Sequence, residues 1–195
     1  MALTGRALPW RVHSVLPRSL ANGPGQRFVV WSQGCALACP GCFNPETHEG
    51  TAGATRTVGE LVDAALAEVP GIEGVTLTGG EPLEQPEAVA AFCAGLRAAA
   101  DLGVIVLTGF TRAEIERDPA MARAVAGADL VVAGRYNERL RVAAGLRGSA
   151  NKEYWDRTGR YPPAALGRVP DVEVHIGVDG MVTVTGIAAP GGDVW

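Results

Sequence analysis

The chain has 195 residues, 47% of them hydrophobic and 19% charged, and its net charge is −4. This composition excludes a disordered chain, and the length suits one domain with its own core better than two. The acidic balance does not favour nucleic-acid binding. From the length we expect a single domain over residues 1–195. Since no apolar stretch is long enough for a membrane span or a signal peptide, we expect the protein in the cytoplasm and with no membrane partner.

The first predicted strand covers residues 27–33, an apolar run rich in β-branched and aromatic residues. Residues 34–54, which contain Gly, Pro and three cysteines, predict a loop. A helix is then predicted to begin at Thr57, because Thr57 and Glu60 have capping-box spacing and apolar residues recur at helical period up to residue 69.

Further along the chain, short apolar runs predict strands at 74–78, 103–108 and 129–133. Between them, helices are predicted over 86–100 and over 111–126, the second with an interruption at Pro119. Residues 135–170 are polar and rich in Gly and Pro, and no elements are predicted there. Alternating residues at 172–177 and 181–186, joined by Val178-Asp179-Gly180, predict a hairpin.

Strands that alternate with helices indicate βαβ units and a mostly parallel sheet. The chain is too short for eight units, so the sheet is either doubly wound or an open, partial (β/α) barrel. We predict an α/β fold of the partial-barrel kind with a C-terminal β-hairpin. The loops after the strands are expected to meet at one rim and to carry the chemistry.

Three cysteines, Cys35, Cys39 and Cys42, fall in a C-x3-C-x2-C pattern within that loop region. Thiolates are the preferred ligands of iron–sulfur clusters, and three of them would leave one iron of a four-iron cluster open. A Cys3His zinc site that includes His48 is an alternative, and simple packing is another. Cys93 lies in an alanine-rich helix and is interpreted as a core residue.

The second strand runs into Gly79-Gly80-Glu81-Pro82. Two glycines at a strand end allow a ligand to approach the backbone closely. Glu81 is expected on the exposed rim, where it can accept hydrogen bonds from an ammonium group. Taken alone, such a segment is typical of an ordinary turn. Next to an open iron it favours a ligand that carries both an amine and a carboxylate.

The cysteine pattern followed by Gly-Gly-Glu-Pro resembles the radical S-adenosylmethionine superfamily. Within it, Asn22–Arg27 and Gln33–Cys35 are similar to glycyl-radical activating enzymes. Three further segments resemble the activating proteins of anaerobic ribonucleoside-triphosphate reductases: Cys42–Thr47, Thr108–Phe110 and Arg147–Asn151. The resemblance covers about residues 22–186, which is the expected core of the domain.

This resemblance implies a [4Fe–4S] cluster on Cys35, Cys39 and Cys42, with S-adenosylmethionine bound to the open iron through its amine and carboxylate. Reductive cleavage would give a 5′-deoxyadenosyl radical that takes hydrogen from a glycine of a partner glycyl-radical enzyme. A flavodoxin or ferredoxin would donate the electron. The cofactor-binding residues implied are Phe43, Asn44, Gly79, Gly80, Glu81, Pro82 and Thr108, with the two glycines and Glu81 at the methionyl amine.

The chain departs from that pattern in three places: Ala36–Ala38 is apolar, Ala133 replaces an aspartate, and Lys152 stands where glutamine is common. These departures lie outside the radical-generating core and bear on which partner or substrate the protein acts on. A stand-alone radical enzyme that modifies a small molecule or a peptide is therefore the alternative. A non-catalytic zinc module is a third hypothesis. His48 and His175 are candidates for contact with the cofactor, although a polar structural role is the more common one for such residues. The arginines of 135–160 could dock a protein or hold an anionic substrate, or could belong to a solvated loop.

Overall fold

A computed structural model describes residues 5–187 of the chain. It contains eleven strands: β1 (Pro9–Ser19), β2 (Arg27–Ser32), β3 (Ala54–Thr57), β4 (Gly74–Gly79), β5 (Gly103–Leu107), β6 (Leu130–Ala133), β7 (Arg141–Ala144), β8 (Arg147–Ser149), β9 (Glu153–Asp156), β10 (Val172–Ile176) and β11 (Val182–Gly186). Seven of them form one sheet in the order β3-β1-β2-β4-β5-β6-β9, and β7–β8 and β10–β11 form two-stranded sheets.

The four central strands of the large sheet, β2, β4, β5 and β6, pair in parallel. At the edges, β1 runs antiparallel to β2, β3 antiparallel to β1, and β9 antiparallel to β6. Five of the seven strands therefore point the same way. The predicted α/β fold with a mostly parallel sheet and a C-terminal hairpin is confirmed at this level.

Five helices connect or cover the strands: α1 (Val58–Ala67), α2 (Pro86–Ala99), α3 (Arg112–Arg117), α4 (Pro119–Val125) and α5 (Pro163–Leu166). The capping box before α1 is present: Glu60 N donates to Thr57 Oγ1 at 3.2 Å, and Thr57 N donates to Glu60 Oε2 at 2.7 Å. The predicted break at Pro119 separates α3 from α4. Within residues 5–187 no helix is both long and apolar enough to cross a membrane.

The parallel strands are buried on both faces because their side chains alternate between two cores. In β5, Val104 and Val106 face a large core formed with α1 and α2, where Trp10 packs edge-to-face on Phe92. Ile105 and Leu107 face a smaller core made with residues of the 146–169 segment. The polar 135–170 stretch, to which the sequence assigned no elements, thus covers the second face of the sheet.

Three strands of the large sheet, β1, β3 and β9, were absent from the sequence prediction. Strand β1 carries register shifts in its pairing with β2, so its inward residues do not keep strict alternation. It is nevertheless firmly placed, since Trp10 is fully buried and donates from Nε1 to Ser32 Oγ. Strand β3 pairs with β1 and ends the predicted 34–54 loop just before α1. Strands β1 and β3 extend the sheet beyond β2.

Asp129 joins the opposite, amino-terminal ends of the strands. Its carboxylate accepts from Val104 N at 2.7 Å, from Arg97 Nη2 and from Thr158 Oγ1. Burial by itself raises the pKa of Asp129, but these hydrogen bonds outweigh it and hold the pKa below its ordinary value. The ionised form is therefore the one that stabilises the fold.

We expect Asp129→Asn to lower the free energy of unfolding at pH 7 by about 1–2 kcal/mol, because charge-assisted hydrogen bonds are lost. Since the pKa is depressed by folding, this contribution is present above the unfolded-state pKa and is lost as the pH falls through about 4 and below. Urea midpoints of parent and variant should differ from pH 5 to 7 and converge toward pH 3. An undiminished difference at pH 3 would contradict this role.

Candidate functional site

Most of the predicted site residues meet at a cavity of about 420 Å³ at the carboxyl ends of β2, β4 and β5. Its walls include all three cysteines of the loop after β2 and the two glycines at the end of β4, together with Phe43, Asn44 and Thr108. Parallel strands deliver these residues to one edge because their carboxyl ends lie side by side. The volume is within the range of small-molecule sites.

The cysteine loop is held at its two ends by backbone hydrogen bonds. Gly34 N donates to Thr47 O at 2.8 Å, and Cys35 N donates to His48 O at 3.1 Å. Inside the loop, Cys42 N donates to Cys39 O at 3.2 Å. These hydrogen bonds fix the backbone of the loop. The three cysteine side chains therefore reach the cavity although no disulfide holds the loop.

The loop bends sharply around Gly41, which has a left-handed φ of 67°. A Cβ at this position would lie 2.8 Å from the carboxylate carbon of Glu138. The left-handed backbone conformation favours glycine here, whereas the flexible Glu138 side chain could move aside for a Cβ. The adjacent Phe43 ring packs at 4.9 Å from the ring of Tyr136 and closes one side of the loop.

The donor set suits an iron–sulfur cluster. All three thiols are free and half-buried, and burial raises the pKa of the Cys35 and Cys42 thiols, so iron binding would displace protons from them. A zinc ion holds its thiolates within about 4 Å of one another. Among residues 5–187, no three His, Cys, Asp or Glu side chains are placed to hold a single metal ion.

Gly79 and Gly80 bring β4 into direct contact with the cysteine loop. Gly79 has a φ of 95°, and a Cβ there would lie 2.7 Å from Ser32 N. A Cβ on Gly80 would lie 2.4 Å from Gly34 O. A larger residue at Gly80 would push the cysteine loop away, and one at Gly79 would clash with the backbone of β2. Both glycines line the cavity.

The prediction that Glu81 lies on an exposed rim is wrong. Its side chain is 1% exposed, and its carboxylate accepts from Leu83 N at 2.9 Å, Thr108 Oγ1 at 2.7 Å and Gly109 N at 2.7 Å. Burial raises the pKa of Glu81 to about 6, although these hydrogen bonds and the charge of Lys152 oppose the shift. Glu81 ties the end of β4 to the end of β5 and does not line the cavity.

The other predicted residues also divide into those that line the cavity and those that lie outside it. Pro82 is buried in a 3-10 turn and is absent from the cavity wall. Asn44 lines the cavity, and its Nδ2 lies 3.5 Å from Gly79 O. His48 lines the cavity as well, with a buried Nε2 that has no hydrogen-bond partner. His175 lies outside it, 3.4 Å from Glu173.

Several contributors to the cavity wall were not predicted from the sequence, among them Lys152, Tyr136 and residues of strands β1 and β11. Lys152 Nζ donates to Thr108 O and Gly134 O. Burial lowers the pKa of Lys152, while the charges of Glu81 and of the nearby thiolates act in the opposite direction. Two signals were available: Lys152 is the single lysine among 17 lysines and arginines, and it stands where glutamine is common in the family that the chain resembles.

Residues 21–155, more than half of the chain, match the family described as "4Fe-4S single cluster domain". The chain belongs to this family. The family match makes an iron–sulfur cluster, and not zinc, the group expected at the three thiols, in agreement with the donor set.

Particular relatives narrow the resemblance. The chain is 43% identical over 81 residues to a pyruvate formate-lyase-activating enzyme of Clostridium pasteurianum. The matched segment covers 40% of the chain and 34% of that enzyme. The chain is 28% identical over 148 residues to the anaerobic ribonucleoside-triphosphate reductase-activating protein of Enterobacteria phage T4, covering 74% of the chain and 92% of that protein. The resemblance to glycyl-radical activating enzymes is confirmed, although the match spans only about a third of the Clostridium enzyme.

Proposed function

We propose that this protein cleaves S-adenosylmethionine at a [4Fe–4S] cluster and thereby activates a partner glycyl-radical enzyme of the anaerobic ribonucleotide reductase type. The observation that carries the proposal is the shared cavity, in which three free thiols face the open backbone of Gly79 and Gly80. When bound, the reduced cluster and S-adenosylmethionine supply a 5′-deoxyadenosyl radical that takes a hydrogen atom from a glycine of the partner.

Cys35, Cys39 and Cys42 are proposed as the three cluster ligands, which leaves one iron open toward the cavity. The methionyl amine would then be bound by backbone carbonyls at the Gly79–Gly80 strand end. Because Glu81 is buried, its proposed part is to hold this strand end in place beside Thr108. Phe43 and Asn44 would shape the loop side of the same site, and Pro82 would fix the turn below it.

We propose that the chain is a single domain whose core covers about residues 22–186. In that core the large sheet would curve as an open, partial (β/α) barrel, a shape that suits these tasks. A cavity that opens at the rim would admit a glycine loop of another protein, whereas a small-molecule enzyme needs a closed pocket. The sulfur chemistry requires an electron, and a flavodoxin or ferredoxin is the proposed donor. A stand-alone enzyme that modifies a small molecule or a peptide remains the second candidate.

The test is to incubate the anaerobically reconstituted, reduced protein and S-adenosylmethionine with purified anaerobic ribonucleoside-triphosphate reductase or with pyruvate formate-lyase. Activation predicts an organic-radical EPR signal whose splitting changes when the partner carries deuterated glycine. Formation of 5′-deoxyadenosine without any radical on either partner would contradict the activating role and favour the second candidate. A sample without S-adenosylmethionine is the control.

A further inference from the structure

Lys152 is held at the wall of the cavity by two backbone carbonyls. Its Nζ donates to Gly134 O at 2.6 Å and to Thr108 O at 3.1 Å. These carbonyls follow β6 and β5, so the ammonium lies between the ends of two adjacent parallel strands. An ammonium group has three N–H donors, and the side chain lines the same cavity as Cys39 and Cys42. One donor therefore remains for a ligand.

The positive charge of Lys152 has no direct carboxylate partner among residues 5–187. Glu81 is the buried carboxylate on the same side, but it is reached only through Thr108, whose hydroxyl donates to Glu81 and whose carbonyl accepts from Lys152. The carboxylate of Glu81 is already occupied by three donors. The thiolates of Cys39 and Cys42 lie near this mostly buried charge without contacting it, and an anionic group that enters the cavity would add a direct partner.

Bracing the two strands does not by itself require a lysine. The amide of a glutamine also has two N–H donors, and it would satisfy two carbonyls without the cost of burying a charge. The rest of the chain uses arginine for its basic residues. A compact ammonium that presents one free donor to the cavity therefore points to a ligand-binding task rather than to a structural one.

We propose that Lys152 binds the α-carboxylate of S-adenosylmethionine, an inference that rests on the proposed function. The carboxylate is the single anionic group of that molecule, since its sulfonium and amine are positive. Lys152 would be a cofactor-binding residue at the ends of β5 and β6, in the same cavity as the Gly79–Gly80 backbone at the end of β4. The two contacts together would fix the orientation of the methionyl end.

The test compares S-adenosylmethionine with its decarboxylated analogue, which keeps the adenosine, the sulfonium and an amine. Equilibrium dialysis with cluster-loaded parent, Lys152→Gln and Lys152→Met gives both dissociation constants for each protein. We expect either variant to weaken S-adenosylmethionine binding by about 10-fold to 100-fold, the effect of one charge-assisted hydrogen bond, and to leave binding of the analogue unchanged. Arg123→Gln, which removes the charge of an exposed residue on α4, should change neither constant.

Equal weakening of both ligands would overturn the inference, because it would show that Lys152 acts only as a brace between strands. Unchanged binding of S-adenosylmethionine would overturn it as well. The ratio of the two constants within one variant does not depend on how much of the sample holds its cluster, so partial folding does not obscure the result. A parent protein that binds neither molecule would instead overturn the proposed function, and this inference with it.

Discussion

Replacement of Cys42 by alanine is expected to reduce the iron content of the reconstituted protein from about four atoms per chain to fewer than one. The remaining thiols, Cys35 and Cys39, would leave two irons of a four-iron cluster without protein ligands. The backbone of the loop is held at its ends by Gly34 and Cys35, so the fold should not depend on the Cys42 sulfur. Iron and sulfide analysis with visible absorption measures the loss.

Cys93→Ala is the matched control, since Cys93 is the one cysteine outside the loop. Its thiol is 1% exposed, and burial raises its pKa to about 12, so it is a packing group within α2. This variant should keep its full iron content and lose about 1 kcal/mol of stability through the cavity it leaves. Equal iron content in the Cys42 and Cys93 variants would contradict the assignment of the ligands.

Replacement of Arg27 by methionine is expected to lower the free energy of unfolding by about 3 kcal/mol, and the unfolding midpoint by about 6–12 °C. Arg27 is fully buried at the start of β2, and burial lowers its pKa. Its guanidinium donates to Tyr161 OH at 2.6 Å, to Val75 O at 2.6 Å and to Gly103 O at 2.9 Å. A methionine would leave these buried acceptors unpaired.

The same variant separates stability from function, because Arg27 lies at the amino-terminal end of the strands and the cavity lies at their carboxyl ends. Folded Arg27→Met should therefore bind its cluster as the parent does. Thermal unfolding of the apoprotein, with exposed Arg123→Met as the control, provides the measurement. A variant as stable as the parent would show that the apolar side chain compensates for the lost hydrogen bonds.

The central strands could be predicted because their own composition specifies burial on both faces. Strand β1 could not, since register shifts interrupt its alternation and Pro17 lies within it. Two features of the 135–170 segment depend on distant partners: Tyr161 is held by Arg27, and β9 pairs with β6. Interactions of this kind have no local pattern in the sequence.

In the site, the cysteines were recognisable from their spacing, and the two glycines from their place at a strand end combined with that cysteine pattern. The burial of Glu81 was not, because it is decided by Thr108 and Gly109, which the pairing of β4 with β5 brings beside it. The same holds for Lys152, whose place at the cavity depends on two strand ends remote in sequence. Sequence therefore indicated the chemistry, and tertiary contacts determine which polar residues reach it.

The most direct test of the central claim is the formation of 5′-deoxyadenosine from S-adenosylmethionine by the anaerobically reconstituted and reduced protein. The parent and Cys93→Ala are expected to produce the nucleoside, and Cys42→Ala is expected to produce none above the background of the reductant alone. A parent that holds its cluster and binds S-adenosylmethionine but releases no 5′-deoxyadenosine would contradict the radical chemistry proposed for this cavity.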